Sequence, residues 1–153
     1  MNIFKFFSRK TKKIAFLDGD NPLPYILSAH TKYLKGIETH LIRALAPEDK
    51  EPKILKKTSD GINKIYLRGL TRGKEITDKF IGAYIQKAIH DGYTEITVIS
   101  MDYDFIDIFK MAVILNPQAT KVSFKIIVPA VPNQHGRLYE PLEKIHNISV
   151  VRD

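Results

Sequence analysis

The 153 residues suit one compact domain with a real core, and an apolar content of 44% with 27% charged residues excludes disordered and collagen-like classes. The chain has no cysteine, which excludes disulfides and thiolate metal sites and fits a reducing cytoplasm. A formal net charge of +7 points to a polyanionic partner such as nucleic acid or an anionic surface.

Residues 1–12 form a basic N-terminal tail in which Phe4, Phe6 and Phe7 alternate with Lys5, Arg9, Lys10 and Lys12. It lacks the continuous apolar run and small-residue cleavage site of a signal peptide. No stretch is long enough to span a bilayer, so no stable membrane association is expected. Residues 13–153 read as a single domain.

The apolar run KIAFLD (13–18) predicts a buried strand. Pro22 and Pro24 suit the first turn of a helix running to about residue 34. Residues 37–45 predict a second strand, 46–58 a short charged surface helix, and 63–68 a third strand. In 76–90, Ile76, Phe80, Ile81, Tyr84, Ile85, Ala88 and Ile89 recur at three- and four-residue steps, the spacing of one buried helical face. Gly92 ends that helix. Residues 95–100 predict a fourth strand, 104–115 a helix closed by Asn116 and Pro117, and 121–129 a fifth strand. A short helix at 139–145 precedes a final strand at 147–153.

Strands separated by helices imply a three-layer α/β/α sandwich around a mostly parallel sheet of five or six strands. Right-handed crossovers set the strand C-termini along one rim, where ligands bind at the reversal of strand order. With the order 3-2-1-4-5, Asp18 and Asp20 after the first strand share a cleft with Asp102 and Asp104 after the fourth. Asp78, opening a helix, reaches the same rim. Taken singly, each acid has an ordinary use. Asp104 suits a helix cap and Asp102 a turn; Asp78 favours the positive end of a helix dipole; Asp18 and Asp20 suit solvated strand ends. Gathered on one rim they repel one another, and a divalent cation removes the conflict. Oxygen ligands alone favour Mg²⁺ or Mn²⁺.

Three segments carry a family resemblance. AFLDGDN is similar to the first-strand motif of NYN-domain proteins of the PIN-like nuclease superfamily. RGKEITDKFIGAYI resembles that family's basic loop and acid-bearing helix, and VISMDYDF its Ser-Gly-Asp-Ser-Asp-Phe signature. Met101 and Tyr103 depart from that signature, while its acids are kept. The resemblance covers about residues 13–128 and implies a PIN-like fold. It further implies a Mg²⁺- or Mn²⁺-dependent nuclease, acting on RNA more often than DNA. The implied metal ligands are Asp18, Asp78, Asp102 and Asp104, with Asn21 as polar companion.

On this reading the metal activates water for in-line attack, and Asn21 orients a water or ligand oxygen. Arg72 and Lys74 contact substrate phosphates or are solvated loop charges. Tyr103 stacks a base or packs at the rim, and Ser100, counted with the substrate-binding residues, is packed or hydrogen-bonded near the strand end. His135, beside Arg137, is an ordinary loop residue or a substrate contact. Two rivals stand beside it. FLDGDN also fits a haloacid-dehalogenase-type phosphatase with Asp18 as nucleophile and Asp20 as general acid, although Pro22 departs from that motif. A basic module that binds nucleic acid without cutting it is the other. The last strand, as an exposed sheet edge, would allow a homodimer.

Overall fold

The computed structural model describes residues 11–57, 61–69, 76–101, 104–129 and 147–153. Six strands, β1 (Lys13–Asp18), β2 (Glu38–Leu45), β3 (Ile62–Arg68), β4 (Glu95–Ile99), β5 (Ser123–Val128) and β6 (Ile148–Arg152), form one sheet in the order β3-β2-β1-β4-β5-β6. Every neighbouring pair is parallel. The expected 3-2-1-4-5 order is therefore present, with β6 added at the β5 edge. The helices are α1 (Leu23–Tyr33), α2 (Lys53–Lys57), α3 (Ile76–His90) and α4 (Asp104–Leu115), followed by a short 3-10 helix at Pro117–Lys121. That 3-10 turn delays β5 by two residues relative to the expected start. The expected helix at 139–145 lies outside the described residues.

Alternation along the strands sorts the core into two layers. Ile14 and Phe16 of β1, Ile42 of β2 and Ile96 and Val98 of β4 face Ile81, Ile85 and Ala88 of α3 and Phe105 and Phe109 of α4. The Phe16 ring lies 6.2 Å from that of Tyr84 on α3, and Phe109 lies 5.0 Å from Phe124 of β5. The intervening residues Ala15, Leu17, Leu41 and Ile99 face Leu23, Ile26 and Ala29 of α1 and Leu55 of α2. A sheet covered on both faces explains why β1 reads as an unbroken apolar run and not as an alternating one.

α1 begins directly after Pro22, with Pro24 in its first turn, where a missing N–H leaves no helical hydrogen bond unmade. The periodic segment 76–90 is helical over its whole length. Its last carbonyls accept the amides of Asp91, Gly92 and Tyr93, and Gly92 has φ +88°, the left-handed geometry of a helix stop. α2 buries Leu55 and leaves Lys53, Lys56 and Lys57 exposed, as expected for a charged surface helix. Among the described residues no helix is long and apolar enough to cross a membrane.

Candidate active site at the strand rim

β1 and β4 are adjacent, and each leads into a helix on a different side of the sheet, so the strand order reverses between them. The register pairs Leu17 with Ile99, which sets Asp18 next to Ser100 at the rim. Asp18 continues the face of Ile14 and Phe16, the face covered by α3 and α4. Its side chain is 2% exposed.

Neutral donors hold this carboxylate. The Ser100 hydroxyl donates to Oδ2 at 2.9 Å, and the Asp20 amide donates to Oδ1 at 3.2 Å. Asn21 completes the group: its Oδ1 accepts the Met101 amide at 3.0 Å, and its Nδ2 lies 3.5 Å from Ser100 Oγ. Burial raises the Asp18 pKa from 3.8 to about 6, opposed by the hydrogen bonds from Ser100 and Asp20. Asp18 thus stands largely ionised at neutral pH, and among the described residues the groups that hydrogen-bond to it are neutral.

Gly19 makes this turn possible through close approach. Its amide donates to Ile42 O at 2.8 Å, and a Cβ there would sit 2.7 Å from that oxygen and 2.8 Å from Arg43 Cβ. Arg43 Nη1 donates to Gly19 O at 2.5 Å, bringing a cation to the rim from the α1/α2 face. Asp20 is exposed, yet both carboxylate oxygens are engaged by the chain: Oδ1 accepts the Ala44 amide at 3.2 Å and Oδ2 accepts the Thr77 hydroxyl.

The structure thus brings Asp18, Asn21 and Ser100 into one hydrogen-bonded group. Asp78 is buried in the first turn of α3, next to Thr77, and lines a groove with Gly82, Gln86, Ile108 and Met111. Asp104 is the first residue of α4, at the same end of the sheet as Asp18; its side chain lies outside the description. Asp102, Tyr103, Arg72 and Lys74 lie outside the described residues, as do His135 and Arg137. Among the described residues no three acids or histidines converge on one point that would hold a metal ion. The donor set that is described, a desolvated carboxylate beside a side-chain amide oxygen and a hydroxyl, consists of hard oxygens and fits Mg²⁺ or Mn²⁺.

Gly19, Arg43 and Thr77 were not singled out from the sequence. An arginine inside the apolar strand HLIRAL and a glycine between two acids are the signals that point to them. Thr77 carries no such signal, because its partner is 57 residues away. Comparison with protein-family models, curated proteins and solved structures returns no match.

Proposed function

We propose that the chain is a Mg²⁺- or Mn²⁺-dependent nuclease that hydrolyses phosphodiester bonds, with RNA as its principal substrate. The observation that carries this reading is the buried Asp18 carboxylate, held by neutral donors at the point where strand order reverses. α3 and α4, which bear Asp78 and Asp104, both start at this end of the sheet.

In this proposal Asp18, Asp102 and Asp104 hold the ion, and Asp78 binds it directly or through water. When bound there, the ion would supply charge neutralisation at the phosphoryl oxygens and would acidify an attacking water. Ser100 keeps Asp18 oriented by donating to Oδ2, while Oδ1 accepts the Asp20 amide. Asn21, fixed by the Met101 amide, orients water or substrate oxygen. Arg72 and Lys74 contact phosphates, and Tyr103 offers a ring to an unstacked base. The net charge of +7 draws the polyanion to the surface.

The geometry of Asp20 favours this scheme over a phosphatase. A general acid must face the leaving group, whereas both Asp20 oxygens accept hydrogen bonds from the chain itself.

The test incubates purified protein with single-stranded RNA, structured RNA and DNA in EDTA, Mg²⁺ and Mn²⁺, beside Asp102→Asn. Cleavage of RNA that requires metal and is lost in Asp102→Asn is the expected result. Undiminished cleavage in EDTA or in Asp102→Asn would contradict the proposal. RNA binding that is unchanged by metal and by the substitution, with no cleavage, would favour a non-cutting module.

A further inference from the structure

Asp20 stands between Asp18 and Asn21, and although it is exposed its carboxylate is hydrogen-bonded to the chain on both oxygens. It joins three pieces of the chain. Its carboxylate accepts the Ala44 amide near the end of β2 and the Thr77 hydroxyl in the first turn of α3, while its own amide donates to Asp18. Thr77 is 1% exposed, so its hydroxyl has the Asp20 carboxylate as partner on the dry side of the bond, while Asp20 itself is exposed. An acid near the first turn of α3 also complements the positive end of the helix dipole. Asp78 is the next residue along.

We infer that Asp20 is a positioning residue: it anchors the start of α3 to the rim and so sets the Asp78 carboxylate relative to Asp18. The role needs two acceptor sites at once, one for an N–H and one for an O–H, and a carboxylate offers both. An asparagine also serves, because its oxygen can accept from Ala44 while its NH₂ donates to a turned Thr77 hydroxyl. An alanine serves neither. Losing a group that orients a metal ligand from behind typically weakens metal binding by about 10–100-fold. The consequence for metal binding rests on the nuclease reading above; the anchor itself rests on the hydrogen bonds.

The experiment compares the wild-type chain with Asp20→Asn, Asp20→Ala, Thr77→Ser and Thr77→Val. Two quantities are read: amide hydrogen exchange over residues 80–82, and Mn²⁺ affinity by titration calorimetry. Asp20→Ala and Thr77→Val are expected to speed exchange at the start of α3 and to weaken Mn²⁺ binding about tenfold. Thr77→Ser and Asp20→Asn, which can remake the bonds, are expected to stay within about threefold of wild type on the same scale. Thr77→Val keeps the test decisive should Asp20→Ala fold poorly. Loss of Mn²⁺ in Asp20→Asn as severe as in Asp20→Ala would overturn the inference, because Asp20 would then be a ligand. Unchanged exchange in both Asp20→Ala and Thr77→Val would overturn it as well. Should the wild type bind no Mn²⁺, the metal reading falls and exchange alone decides the anchor: faster exchange in the alanine and valine variants supports it, and uniform exchange overturns it.

Discussion

The two ends of the sheet treat carboxylates in opposite ways. At the N-terminal ends of the strands, Glu38 accepts the Tyr93 hydroxyl, Asp91 pairs with Lys87, and Glu95 lies 3.5 Å from Lys13 and 3.8 Å from Lys125. The Tyr93 hydrogen bond lowers the Glu38 pKa, and the Lys87 hydrogen bond lowers that of Asp91. At the C-terminal rim, Asp18 is buried and has Ser100, Asn21 and a backbone amide for company, and its pKa rises to about 6. The first set of acids is compensated where it stands. Asp18 is costly to ionise, and an arrangement of that kind persists where a functional cation or proton uses it. This contrast is what supports placing the proposed chemistry at the rim.

The largest effect expected from breaking that contrast is on cleavage. Asp18→Ala removes a proposed ligand, and a loss of about 4 kcal/mol of transition-state stabilisation corresponds to about a thousandfold in kcat/KM. Steady-state cleavage of a labelled RNA in Mg²⁺ checks it. Activity within a few-fold of wild type would move the chemistry away from Asp18.

The next effect is on pH. Asp18 holds its proton more tightly in the fold than in the unfolded chain, so between 3.8 and about 6 the folded state carries more protons. Stability therefore falls as pH rises through that window, by about 3 kcal/mol in total, and the loss is complete above pH 6. Urea denaturation in EDTA at steps from pH 4 to 7 should show wild type losing this much relative to Asp18→Asn, in which the group does not titrate. Parallel curves for the two proteins would contradict the raised pKa.

Gly19→Ala sharpens the comparison from the packing side. The added methyl meets Ile42 O and Arg43 Cβ well inside van der Waals contact, with backbone that cannot turn away. A loss of about 2 kcal/mol is expected, from the usual cost of overpacking. Thermal or urea unfolding measures it. The smallest effect belongs to the opposite end of the sheet, where Tyr93→Phe removes the hydroxyl donated to Glu38. In that exposed setting the expected change is below about 1 kcal/mol, and cleavage should be untouched.

Much of this fold was legible in the sequence because its signals are local. The helix at 76–90 carries its own periodicity, and β1 and β4 are short apolar runs bounded by acids and turns. The neighbouring of β1 and β4 was carried by the assumed 3-2-1-4-5 order of a doubly wound sheet and not by any single residue. The group Asp18, Asn21 and Ser100 was legible as well, as members of two rim motifs. The role of Asp20 was not. Its sequence context suggested a solvated strand end or a general acid; the residue is exposed, and only the arrival of Thr77 and the end of β2 shows that its carboxylate also ties pieces of the chain together. Arg43 was hidden for the same reason, since its partner is the Gly19 carbonyl. Met111, Ile114 and Leu115 of α4 are apolar by type and exposed in the structure.

The most direct measurement of the central claim is the thermal unfolding midpoint at pH 7.5 as Mn²⁺ is raised into the millimolar range. A cation that binds only the folded state raises stability by about 2.7 kcal/mol at a hundredfold excess over its Kd. The account predicts a rising midpoint for wild type and a flat one for Asp18→Asn. A wild-type midpoint indifferent to Mn²⁺, or an equal rise in Asp18→Asn, would contradict it.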